Sequence, residues 1–148
     1  MEVFKKENII LNVPIEEKEK LLREIARHIC RLGYSREELK IFSGLMDREK
    51  EFETSLGDGF AIPHTKSEFV ENPGVLLVKT KNKIRWSKED SANVFLVLFT
   101  PLESAGNTHL KMLASLSRKL INEEFKKMLH ESDDVDVLYE KINNALAN

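Results

Sequence analysis

The run "VFLVLF", Val94 to Phe99, is apolar at every position. A strand with one face in water alternates apolar and polar residues, because successive side chains point to opposite faces. This run does not alternate, so it asks for cover on both sides, as a strand in the middle of a sheet does. It is far too short to cross a bilayer. "GVLLVKT" (Gly74–Thr80) is a second strand by composition, and "IILNV" (Ile9–Val13) reads as an edge strand. "KNKIRWS" lies between the two long strands, with Trp86 available to pack on the sheet edge.

The cover comes from amphipathic segments at both ends of the chain. Pro14 suits the first turn of a helix, and Glu16 and Glu17 suit its positive end. Leu22, Ile25, Ala26 and Ile29 recur at helical spacing, and Gly33 is a natural stop. Ser35 and Glu38 form a capping-box pattern for a second helix, with Leu39, Phe42 and Met46 as its buried stripe and Arg48 near its end. From Thr108 onward the chain reads as helical. Leu113, Leu116 and Leu120 make one face, Phe125 and Leu129 a short helix, and Leu138, Ile142 and Ala145 a last one. Helices flanking a strand-rich middle give an α/β or α+β class with covered sheet faces. At 148 residues the chain is read as one domain, residues 1–148.

Charge and cysteine content exclude several functions. Lys plus Arg (23) nearly balance Asp plus Glu (25), which argues against a dedicated nucleic-acid binder. A single cysteine, Cys30, forms no intrachain disulfide and fits a reducing, cytoplasmic setting. The N-terminus "MEVFKKENIILNV" is charged almost at once and is not read as a signal peptide, and no segment is read as inserting into a membrane.

The chemistry is sought among four histidines. His28 sits inside the first helix and His130 at a helix end, where ordinary structural roles suffice. His64 closes "SLGDGFAIPH". Pro63 fixes its own φ and holds Ile62 extended, so the backbone into His64 is stiff. Gly57 and Gly59 allow a tight turn and the close approach of a bulky group, Asp58 is a turn residue, and Thr54 and Ser55 supply hydroxyls. Local chemistry alone fits a loop entering a strand as well as a reactive imidazole. His109 lies in the first turn of a helix, on the face of Leu113, Leu116 and Leu120, and so looks inward. That turn offers free N–H groups and a positive dipole end. A capped helix with a satisfied core histidine fits the same residues.

The ordered set Arg48-Glu49, Thr54, Gly57, Gly59, "AIPH", Trp86 and "HL" resembles the fructose/mannitol-type enzyme IIA of the bacterial phosphoenolpyruvate-dependent sugar phosphotransferase system. The resemblance spans essentially the whole chain. It implies an α/β fold with a mixed central β-sheet sandwiched between helices. It implies that His64 is the phosphoryl acceptor and that His109 and Arg48 stabilise the phosphate. Thr54 and Ser55 are candidate substrate-binding hydroxyls. Phospho-HPr is the implied donor and the cysteine of an enzyme IIB, with a membrane IIC beside it, the implied acceptor.

The residues suit that chemistry. A neutral imidazole is a fair nucleophile near pH 7, because its unperturbed pKa is about 6.5. The phosphoramidate it forms transfers onward readily, as a carrier needs. Phosphoryl transfer asks mainly for positioning and charge stabilisation, so no cofactor and no metal is called for. The chain is read as free-standing, without fused IIB or IIC segments. Two other readings stand beside the transport phosphocarrier. One is a nitrogen-type regulatory IIA whose phosphorylation at His64 gates binding to other proteins. The other is a metal-dependent hydrolase using His64 and His109, which lacks a carboxylate at ligand spacing beside either.

Overall fold

The computed structural model describes residues 1–103 and 107–147. Among them, six strands form one mixed sheet: β1 (Ile9–Val13), β2 (Ser55–Gly57), β3 (Gly59–Ala61), β4 (His64–Ser67), β5 (Gly74–Arg85) and β6 (Ser91–Pro101). The order is β1-β5-β6-β3-β2, with β4 also paired to β6. β1 is an edge strand, parallel to β5, and β5 runs antiparallel to β6. Helices α1 (Lys18–Arg31) and α2 (Glu38–Glu51) precede β2, and α3 (Thr108–Lys119), α4 (Glu123–Glu131) and α5 (Val135–Ala147) follow β6.

The apolar run in β6 divides as its composition requires. Phe95, Val97 and Phe99 face a core shared with Leu22, Ile25 and Ile29 of α1 and Ile41 and Leu45 of α2. Val94, Leu96 and Leu98 face a second core with Leu116 of α3, Phe125 and Leu129 of α4, and Leu138 and Ile142 of α5. Each face buries large side chains at about 1.5–3 kcal/mol apiece, so removing either helical layer would expose half the sheet. The α/β sandwich is therefore the structure's architecture. No helix among the described residues is long and apolar enough to cross a membrane.

Several local expectations shift. α1 begins at Lys18, beyond Pro14, because Ile15 packs against the core from the connecting segment. Ser35 does not cap α2: its hydroxyl donates to the Phe69 carbonyl and accepts from the Glu37 N–H, and the helix starts at Glu38. The buried face of α2 is set by Ile41 and Leu45, with Phe42 and Met46 on its margin, while Leu39 is 62% exposed. β5 continues through "KNKIR" across an irregularity in register, which returns Ile84 to the core opposite Ala92. Trp86 consequently lies in the core rather than on a sheet edge, with its ring 4.7 Å from that of Phe95.

β3 and β4 lie along the same side of β6, both parallel to it. Ala61 pairs with Phe95 and His64 with Leu98, so the register is unchanged across the break. The break itself is Ile62-Pro63. Proline has no N–H to give a ladder, but its carbonyl still accepts from the Leu98 N–H at 3.0 Å. His64 therefore starts a strand whose path is fixed on both sides of it.

Candidate functional site

Three elements converge on His64. α2 crosses β4 at Gly44, where an added Cβ would come within 2.6 Å of the Thr65 hydroxyl. Glycine inside a helix costs about 0.5–1 kcal/mol relative to alanine, and here the close approach requires it. One turn further along α2, Arg48 reaches His64: its Nε–H donates to His64 Nε2 at 3.1 Å, and its Nη1 donates to the Phe52 carbonyl at 2.6 Å. From the other side of the sheet, α3 brings the His109 ring to 5.5 Å from the His64 ring.

The hydrogen bonds define the tautomer of His64. Nδ1–H donates to the Ile62 carbonyl at 2.7 Å, which leaves Nε2 with its lone pair toward Arg48. Nε2 is thus the ring nitrogen whose lone pair could act as a nucleophile. Burial holds the pKa of His64 below the ordinary histidine value, and Arg48 lowers it further, against the raising effect of the Ile62 carbonyl and of Glu49 and Glu51. The ring is neutral near pH 7. Attack through Nε2 would place positive charge on the ring, as protonation does, and the Ile62 carbonyl is positioned to stabilise it.

His109 is held by Thr100, whose buried hydroxyl lies 2.8 Å from Nδ1. In the tautomer where Nδ1 accepts from that hydroxyl, Nε2–H is the donor left for the cleft. The pKa of His109 is pushed down to about 4, first by burial and then by His64, Lys66 and Arg48. The cleft between these rings has a volume of about 490 Å³ and is also lined by Asp47, Glu51 and Lys66. A larger groove of about 640 Å³, beside Lys18 and Trp86, contains neither histidine.

The structure brings His64, Arg48 and His109 together, and it places Thr54 and Ser55 elsewhere. Thr54 is buried: its hydroxyl donates to Glu49 Oε2 and accepts from Trp86 Nε1–H at 3.2 Å, and its N–H donates to Glu49 Oε1 at 3.1 Å. Lys18 pairs with the same carboxylate at 2.9 Å. Glu49, Thr54 and Trp86 are therefore a buried brace that anchors the end of α2, one residue from Arg48. Ser55 bonds Ser87 at 3.0 Å, outside the cleft. The turn Gly57-Asp58-Gly59 has positive φ at all three residues and joins β2 to β3. Gly59 pairs with Ala92, about 20 Å along β6 from the partner of His64. What approaches Gly59 is the His130 ring, 2.8 Å from where a Cβ would lie, with His130 Nε2 donating to the Asp58 carbonyl at 2.7 Å. His28 is on α1, bonded to Arg31. Among the described residues, no group of three or more His, Cys, Asp and Glu side chains is arranged to hold a metal ion.

The brace yields a prediction that separates scaffold from site. Thr54→Val should destabilise the fold by about 2–3 kcal/mol, because a buried carboxylate loses a donor and a buried indole N–H loses its acceptor. Urea denaturation measures this. Unchanged stability together with lost phosphoryl acceptance would return Thr54 to the site.

Comparison with known proteins gives one consistent result. The family model described as "Phosphoenolpyruvate-dependent sugar phosphotransferase system, EIIA 2" matches residues 2–145. The chain is 32% identical over 143 residues to the PTS system fructose-specific EIIABC component of Bacillus subtilis, covering 96% of this chain and 22% of that protein. It is 31% identical over 120 residues to the PTS system fructose-like EIIA component of Escherichia coli, covering 80% of each. The crystal structure of IIA mannitol from Escherichia coli superposes with a TM-score of 0.78 at 26% identity, covering 94% of this chain and 98% of that one. Nitrogen regulatory protein IIA-Ntr from Neisseria meningitidis shares the fold, with a TM-score of 0.84 at 22% identity over 95% of this chain and 96% of that one.

Proposed function

The chain belongs to the EIIA 2 family of the phosphoenolpyruvate-dependent sugar phosphotransferase system, and we propose that it is a cytoplasmic phosphocarrier, residues 1–148 acting as one unit, that takes a phosphoryl group from phospho-HPr onto His64. The group then passes to the cysteine of an enzyme IIB serving a membrane IIC. The observation that carries this reading is the state of His64: a neutral ring, Nδ1–H bonded to Ile62, Nε2 facing a cleft with Arg48 and His109. Family membership supports the choice of donor and acceptor. The names of relatives add support, since one solved neighbour is a complex of enzyme IIA mannitol with phosphorylated enzyme IIB mannitol from Escherichia coli.

In the forward step the bond between donor and phosphorus breaks as the bond from Nε2 to phosphorus forms. Arg48 leaves the Nε2 lone pair and turns its planar fork to the phosphoryl oxygens. His109 Nε2–H donates to another oxygen. The test is reconstitution with labelled phosphoenolpyruvate, enzyme I and HPr, followed by addition of IIB. Acid-labile label on His64 that moves to the IIB cysteine supports transport. Label that stays on this chain in the presence of cognate IIB would favour the regulatory reading.

The same assay distinguishes acceptor from helper. His109→Ala should still be labelled at His64 but should pass its group to IIB about 10–100-fold more slowly, the loss of one oxyanion donor. His109→Gln keeps an N–H donor and should recover part of that rate. Rapid-quench measurements decide it: parental transfer by His109→Ala would make His109 a core residue without a part in the chemistry.

A further inference from the structure

The cleft contains a cation that neither the family resemblance nor the proposed mechanism uses. Lys66 is exposed and, among the described residues, its ammonium has no hydrogen-bond or ion-pair partner. It is two residues from His64 on β4, so the two side chains leave the strand on the same face, about 7 Å apart at their origins. The parallel pairing sets Lys66 level with Thr100, the residue that holds His109. Lys66 from β4, His109 from α3 and Arg48 from α2 therefore line one cleft with His64.

We propose that Lys66 is a further phosphate-binding residue, which takes an oxygen of a phosphoryl group on His64 from the β4 wall of the cleft. This rests on the reading of His64 as acceptor. The charges motivate it. A phosphoryl group brings up to about two negative charges, into a cleft that already contains the carboxylates of Asp47 and Glu51. His109 offers an N–H but no charge at neutral pH, its pKa lying near 4. Arg48 alone leaves the group under-neutralised, and the flexible stem of a lysine with no ion-pair partner among the described residues supplies the second cation. The proximity is felt at His109, whose basicity Lys66 lowers.

The test uses the full chain and the variants Lys66→Gln and Lys66→Arg, both at an exposed position where folding is unaffected. Inorganic phosphate is titrated into the unphosphorylated protein while the imidazole resonances of His64 and His109 are followed. Parental binding should weaken about fivefold or more in Lys66→Gln and be largely kept in Lys66→Arg. In the labelled protein, the second ionisation of the phosphoryl group, followed by phosphorus NMR, should move to higher pH in Lys66→Gln, and acceptance from phospho-HPr should slow about tenfold. A merely structural lysine would leave the phosphoryl ionisation in place. Equal phosphate affinity and equal phosphoryl ionisation in parent and Lys66→Gln would overturn the proposal. Failure of the parent itself to take label on His64 would overturn the acceptor reading instead, and the phosphate titration would still judge Lys66.

Discussion

His64→Ala is expected to abolish phosphoryl acceptance, by at least about 10⁴-fold, because it removes the proposed nucleophile and leaves only positioning groups behind. The fold should survive. His64 is buried, but its ring bonds a carbonyl and a half-exposed arginine rather than filling a core layer, so the loss is about 1–3 kcal/mol. The geometry also specifies the atom. In the parent, correlation of phosphorus with the ring nitrogens should place the group on Nε2, with Nδ1 keeping its proton for Ile62. Label on Nδ1 would mean that the bond to Ile62 breaks before reaction. Label retained by His64→Ala would remove His64 from the mechanism altogether.

Much of the scaffold is legible in the sequence because burial on both faces leaves a strong compositional mark. "VFLVLF" needs two layers, and the spacing of Leu22, Ile25 and Ile29 on one side and of Leu138 and Ile142 on the other supplies them. Phase within a helix is marked less firmly. α2 carries Leu39, Ile41, Phe42, Leu45 and Met46, and two overlapping stripes fit them; the packing against β4 at Gly44 selects the one that buries Ile41 and Leu45.

The site is harder to read, since turn chemistry looks alike in scaffold and in catalysis. Gly57, Gly59, Thr54 and Ser55 sit close to His64 in sequence, and only the strand pairings show that their business is a hairpin, a packed His130 ring and a buried brace. The converse holds for Thr100. It ends an apolar strand with no mark of function, yet it stands two places from the partner of His64 along β6 and holds His109 over the cleft. Lys66 was accessible to period-two reasoning from His64, but a strand of four residues offers too little alternation to announce itself.

Arg48→Ala should separate chemistry from folding most sharply after His64 itself. The guanidinium joins the end of α2 to the His64 ring through two hydrogen bonds, one to the Phe52 carbonyl and one to His64 Nε2. Losing them costs about 1 kcal/mol of stability, a few degrees in melting temperature, because both lie at the half-exposed mouth of the cleft. Losing the phosphate contact proposed for its planar fork should cost more, about 10²–10³-fold in rate. Arg48→Lys should recover little of it, since an ammonium cannot span two oxygens in a plane. The pH profile provides an independent check. Protonated His64 has no lone pair on Nε2, so acceptance falls as pH drops through its pKa, which in the parent lies below the ordinary histidine value of 6.5. Arg48 is one of the causes holding it down, so in Arg48→Ala that pKa rises and the acid limb of the profile moves to higher pH. A slower variant with an unmoved acid limb would place Arg48 at the phosphate but not at the resting ring, and a variant of parental rate would leave Arg48 as no more than the cap of α2.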